Sequence, residues 1–376
     1  MKVLIKSGLA FVEGSPIKNV NIGINEGRIE VISRNQIEEY NDAELVISGN
    51  DRIVSPGFIV AQSFIQFYPL RYRIFSGKIN INELISSMDS NIAYHFSLLG
   101  AYHLLKSGVT TVLVTGPFVD SAARAVKQVG LKPIVAVGVG CYWDKGDWKK
   151  NFISMKERWG NSDSQGVVLK LCDENYVEEV FHVAKEFNSI VLLDRTVDLR
   201  GIKAENYPRL VGLGGGSRKD LEVIKNARGS ISFIPSFEVS RFPLGSFKPS
   251  ISIDLVPSFD IRSEMMSATT RLLLTAEEAF KASTEWGYLQ LGIEGGILSV
   301  GKSSDIIIFQ ANEPPAYPMD IRSPYETLIF SSDNLETVIR DGEAILDGGV
   351  SLNIGSKDID EASEKVEEID KRVEKD

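Results

Sequence analysis

Three histidines, two cysteines and a set of acids placed after short apolar runs are the residues from which any chemistry in this chain must be built. His95 and His103 lie eight apart in NIAYHFSLLGAYHLLKSG, and His182 sits inside NYVEEVFHVAKEF. Both segments have helical periodicity, so all three read as packing or surface histidines. A cysteine nucleophile at Cys141 needs an adjacent base, and no histidine is placed to serve. The acids Asp194, Glu238 and Asp254 remain as catalytic candidates. With Gln62, Cys141, Trp143 and Lys170 as binding candidates, they can line a pocket of polar and aromatic groups. Two carboxylates in one cavity do acid/base work, or hold a hard ion such as Mg or Mn.

The elements that must position these residues follow from the apolar pattern. The first 55 residues carry short apolar runs (KVLI, NVNIGI, GRIEVIS, ELVIS) punctuated by Gly, Asn and Pro, which predicts strands. From residue 57, apolar runs alternate with helical segments such as NYVEEVFHVAKEFN and RKDLEVIKNA. The runs are GFIVAQ, TTVLVTG, PIVAVGVG, GVVLKL, SIVLLD, RLVGLG, SISFIP and SISID, eight in all. Continuously apolar strands between helices predict a parallel sheet buried on both faces. Eight such units fit an α/β fold of the (β/α)8 TIM-barrel type better than an open doubly wound sheet. After residue 296 the β pattern returns in SSDIIIFQ, ETLIFSS and ETVIRDGEAILDG. The predicted organisation is a small composite β-sandwich domain from residues 1–56 and 297–350, a barrel over 57–296, and a charged C-terminal helix over 351–376. In that helix Ile359, Ala362, Val366, Ile369 and Val373 form a heptad-like stripe. The stripe lies on the chain's own body or, alternatively, joins two copies into a homo-oligomer.

Of the 376 residues, 43% are hydrophobic and 24% charged, with a net charge of -10. An acidic body repels phosphates, so neither nucleic acid nor an anionic membrane is expected as a partner. A small-molecule ligand is the expected partner. Two cysteines make no disulfide framework and suggest a reducing compartment. MKVLIKSGLAFVEG lacks a secretory h-region, and no stretch approaches the roughly 18 apolar residues of a membrane span. The expected location is cytoplasmic.

Four segments carry a family resemblance: IVSPGFI (53–59), LLKSGVTTV (104–112), GIEGGILSVGKSSDIIIF (292–309) and VIRDGEAILDGG (338–349). They resemble, in turn, the entry to the first barrel strand, the helix and second strand, the return into the small β domain and the closing hairpin of the amidohydrolase superfamily. The likeness is to its chlorohydrolase and deaminase branch and reaches to about residue 350. It implies metal-assisted hydrolysis of a non-peptide C–N bond. A divalent ion held by about four imidazole and carboxylate ligands would lower the pKa of a bound water. Those ligands would sit where barrel strands end.

Carried over position by position, the resemblance loses that chemistry. The His-x-His pair of the first strand becomes Gln62 and Phe64, and the Asp before it becomes Val60. The histidine of the fifth strand becomes Leu192, with Arg195 at the following Glu; if the register slips, Asp194 takes its place. The sixth strand offers Gly212, Gly214, Gly215 and Gly216. Asp254 keeps the acid of the eighth strand, with Ser258 beyond it. Lys170 stands on the fourth strand, where some branches bridge metals with a modified lysine; a lysine reaching out to solvent is the simpler reading. GLGGGS, with Ser217 and Asp220 in capping-box spacing, reads as a tight turn rather than an anion cradle. The expectation is a metal-free amidohydrolase-like protein, impaired or inactive as a hydrolase, with a binding or structural role. The alternative is an active C–N hydrolase or deaminase with a rebuilt carboxylate site, or with one divalent ion.

Overall fold

The computed structural model describes residues 1–144, 146–160, 166–202, 207–216, 218–238 and 246–373. Eight strands make a parallel sheet in strict chain order: β5 (Phe58–Ser63), β6 (Val109–Val114), β7 (Lys132–Val139), β8 (Val167–Leu171), β9 (Val191–Leu193), β10 (Leu210–Leu213), β11 (Ser230–Phe233) and β12 (Ser250–Ile251). Each coincides with one of the apolar runs. The sheet closes on itself where the Ile253 amide donates to the Gln62 carbonyl at 3.0 Å. This is the (β/α)8 barrel, with helices such as Ser90–Lys106 and Val177–Glu186 outside it.

The barrel is filled rather than hollow. Ile59, Leu113, Ile134, Ala136, Val168, Leu192 and Val211 form its inner core with Tyr288 and Leu291. Strand alternation puts residues two apart on one face. Lys170 therefore follows Val168, and Asp194 follows Leu192, upward from this apolar layer to the mouth.

Both ends of the chain form a second eight-stranded sheet. Its strands are β1 (Val3–Val12), β2 (Ser15–Asn25), β3 (Arg28–Ser33), β4 (Leu45–Pro56), β13 (Ile306–Gln310), β14 (Leu335–Arg340), β15 (Glu343–Asp347) and β16 (Val350–Ser351). The order is β16-β15-β14-β13-β4-β1-β2-β3, so β4 against β13 joins the N-terminal and C-terminal halves. Ile5, Ile22, Ile24, Val54, Ile306 and Ile308 make its own core. β4 runs on through Gly57 into β5, which fixes the start of the barrel. A Cβ at Gly57 would stand 2.2 Å from the Thr110 hydroxyl oxygen, so only glycine allows this strand crossing.

The C-terminal helix Ser356–Val373 turns its apolar stripe onto its own chain. Ala362 and Ile369 are fully buried, and Ile369 packs with Leu84, Ile92 and Phe96. The side chain of Val373 lies outside the described residues. Cys141 and Cys172 are joined in a disulfide. Two cysteines make no framework, and this single bridge was not expected from the sequence. The bridge follows from strand register: Val139 pairs with Leu171, so the residues just past β7 and β8 come side by side. Among the described residues no helix is long and apolar enough to cross a membrane.

Candidate functional site

A cavity of about 300 Å³ opens at the C-terminal ends of the barrel strands. That pole is where loops leave room for a ligand in this architecture. Its polar lining is Gln62, Lys170, Asp194, Arg195, Asp254, Ser232 and Ser252, and its aromatic walls are Phe64, Tyr142, Trp143 and Phe237. A wider groove of about 820 Å³ lies at the opposite pole, where Lys132 begins β7 and Gly166 precedes β8.

Lys170 occupies the centre of the mouth. Its side chain is 1% exposed, so it does not reach out to solvent as the sequence suggested. Its Nζ lies 3.5 Å from Asp194 Oδ2. The same ammonium lies 4.6 Å from the Phe64 ring centroid and 5.2 Å from that of Trp143. Burial among these rings lowers the lysine pKa; attraction to Asp194 and Asp254 opposes that shift without cancelling it.

Asp254 lies just past β12 and closes the other side. Its Oδ2 accepts a 3.2 Å hydrogen bond from Gln62 Nε2, while its Oδ1 and the Gln62 Oε1 have no partner among the described residues. The carboxyl touches the cavity but is enclosed by protein, and that desolvation pushes its pKa up to about 6. Lys170 and Arg195 pull it the other way. Below it, the Ser232 and Ser252 hydroxyls share a 2.5 Å hydrogen bond.

Phe64 is held where a metal-binding imidazole was looked for. It meets Trp143 edge-on at 5.2 Å and stacks on Phe67 at 5.9 Å. Gln66 secures the segment behind it, donating from Nε2 to the Thr115 and Pro117 carbonyls, each at 2.9 Å. At the fifth strand, Leu192 belongs to the inner apolar layer and Asp194 to the cavity.

Two candidate residues take other places. Glu238 does not line the cavity: its two carboxylate oxygens accept from the Gly215 and Gly216 amides, each at 2.9 Å. It braces the glycine turn after β10, which explains its burial without a catalytic role. Cys141 is spent in the disulfide and does not line the cavity, although it anchors the turn that presents Tyr142 and Trp143. Ser217, the first half of the expected capping box, lies outside the described residues. Asp220 accepts from Arg218 instead, at 2.7 Å and 2.9 Å. His103 stacks on Tyr68 at 5.2 Å, with its pKa lowered by burial, and none of the three histidines lines the cavity.

Arg218 is the residue that the sequence left unremarked. Buried with Asp220, it donates to the carbonyls of Asp194 at 2.9 Å and Val197 at 2.9 Å. It therefore fixes the loop that carries Asp194 and Arg195. The available signal was a lone arginine beside an acid, directly after a glycine-rich strand end. Among the described residues, no group of three or more His, Cys, Asp or Glu comes together.

No family model matches the chain. The 5'-deoxyadenosine deaminase of Methanosphaera stadtmanae is 25% identical over 403 aligned positions, covering 91% of this chain and 93% of that protein. The crystal structure of an adenosine deaminase from Xanthomonas campestris with bound zinc superposes with a TM-score of 0.81 at 15% identity, covering 98% of each chain. That of an amidohydrolase from a Sargasso Sea environmental sample gives a TM-score of 0.79 at 14% identity, covering 99% of this chain and 100% of the other. In barrel and appended sheet the chain shares the fold of these two structures, and along 91% of its length its sequence is similar to that deaminase.

Proposed function

We propose that the chain uses the amidohydrolase barrel as a small-molecule site without a metal, and that hydrolysis of C–N bonds is impaired or lost. The observation that carries this reading is Lys170. A divalent ion needs a set of imidazole or carboxylate donors facing one point. The donors at this mouth are two aspartates and an amide, and the point they face already holds an ammonium. Phe64 adds an apolar ring beside it. Lys170 balances the charge of Asp194 and Asp254, a task that otherwise falls to an ion, and Arg195 adds a second cation at the rim. The donor set does not fit a metal. What it supports is a pocket that binds and orients: aromatic walls for an apolar or planar ligand, and a floor of charged groups that hold and exchange protons.

The second reading is a C–N hydrolase or deaminase with a rebuilt site, and one observation favours it. Asp194 and Asp254 reach the same open cavity, and Asp254 is held near a pKa of about 6, where a carboxyl serves as acid or base at neutral pH. The relatives' names point to one assay: ammonia release from 5'-deoxyadenosine by protein treated with chelator. On the first reading, release stays at the level of the buffer blank. Turnover that is unaffected by chelator and abolished in Asp254→Asn establishes the second reading and displaces the first.

A further inference from the structure

We propose that Lys170 is a nucleophile that takes a small oxo acid into this pocket as a Schiff base. The inference rests on the metal-free reading of the site and names the ligand class.

The geometry is that of an amine set up for covalent chemistry. Lys170 is buried from bulk water yet lines the cavity, so a bound molecule meets its Nζ directly. Its Nζ pairs with Asp194 at 3.5 Å and lies against two aromatic rings. A lysine desolvated in this way carries the neutral amine in greater share than a surface lysine, which is the condition for attack on a carbonyl. Asp254 stands on the facing side, its Oδ1 without a hydrogen-bond partner among the described residues. Arg195 is exposed at the rim of the same cavity, where its guanidinium matches a carboxylate. A ligand with a carbonyl at one end and an anion at the other spans these groups. At about 300 Å³ the cavity is at the small end of ligand pockets, which favours a short molecule.

The step balances within the pocket. Asp194 accepts a proton from the ammonium. The amine lone pair attacks the carbonyl carbon, a C–N bond forms, and the carbonyl oxygen takes a proton from the Asp254 carboxyl. The Asp254 carboxylate then takes one of the two protons on the new C–N nitrogen, leaving a neutral carbinolamine with one N–H. Its nitrogen lone pair expels the hydroxyl as water, which takes up the proton held by Asp194, and the nitrogen keeps its one hydrogen as an iminium. Overall, ammonium and carbonyl give iminium and one water.

The test is reductive trapping. The full chain is incubated with pyruvate, reduced with sodium borohydride and mapped by peptide mass spectrometry, and metal content is measured on the same sample. The expected result is a reduced adduct on the Lys170 peptide at about tenfold or more above any other lysine. It is absent in Lys170→Met, and the ratio of pyruvate to acetaldehyde labelling falls about tenfold in Arg195→Ala. Mapping on the unaltered chain keeps the test decisive if Lys170→Met does not fold. An unlabelled Lys170 in metal-free protein overturns this inference alone. A stoichiometric ion in the same sample overturns the reading on which it rests. An unchanged labelling ratio in Arg195→Ala overturns the oxo-acid assignment.

Discussion

Lys170 Nζ faces Asp194 Oδ2 across 3.5 Å, with the lysine 1% exposed and the aspartate 26%. A cation so placed is stable only while a carboxylate answers it, because an unpaired buried charge is costly. The pair also connects two neighbouring strands, since Lys170 lies opposite Leu192 in the β8–β9 register. The mouth of the barrel is thus organised around an amine and its two flanking acids.

Asp254 makes stability depend on pH. Its folded pKa, near 6, lies above the ordinary carboxylate value of 3.8. The folded state therefore holds its proton more tightly than the unfolded chain. The stabilisation is complete below about pH 4 and is lost as pH rises through about 6, a slope worth roughly 1–3 kcal/mol. Asp254→Asn removes this contribution. Urea unfolding across that window should show a flatter profile for the variant than for the parent chain. Parallel profiles contradict the assignment.

Arg218 and Asp220 form a buried pair whose side chains are 1% and 2% exposed. Arg218→Met leaves Asp220 charged and unanswered in the interior and frees the carbonyls of the Asp194 loop. Destabilisation of about 3–5 kcal/mol is expected by denaturant titration. A change below about 1 kcal/mol shows that the loop is held by something else.

The fold was legible because the barrel strands are short, apolar and regularly spaced, and because GKSSD at 301–305 marks the return to the second sheet. Gln62 and Phe64 stand in the sequence where imidazoles were looked for, but alternation alone does not give their direction, because the β5–β6 register shifts between Val60 and Ser63 and Phe64 lies past β5. Lys170 was misjudged because a lysine at a strand end usually reaches water, and one residue cannot reveal that Phe64 and Trp143 close over it. The disulfide was missed although its signal was present, since Cys141 and Cys172 each follow an adjacent parallel strand. Glu238 was assigned to the pocket by its place after β11, but the glycine amides after β10 claimed it. Partners across loops are set in three dimensions and leave little trace in spacing.

The Cys141–Cys172 bridge closes a sequence separation of 31 residues beside the Trp143 wall. Its loss should cost about 2–4 kcal/mol. Reductant should lower the thermal midpoint and change tryptophan fluorescence in the parent chain, with no effect on Cys141→Ser/Cys172→Ser. A midpoint indifferent to reductant in the parent chain shows that the bridge adds no stability.

Restoring imidazoles alone should not restore a metal centre. In Gln62→His/Phe64→His the new donors would still face the Lys170 ammonium, whose repulsion of a divalent ion amounts to several kcal/mol, on the order of 5. Zinc titration should find weak binding in this variant. Adding Lys170→Ala should tighten it about tenfold or more. Equal affinity with and without Lys170 removes the lysine from the explanation.

The most direct measurement is the metal content of the unaltered chain, by elemental mass spectrometry after extensive dialysis. The account predicts far less than one ion per chain, with Lys170 unmodified in the intact mass. A stoichiometric, tightly held zinc, iron or manganese ion contradicts it.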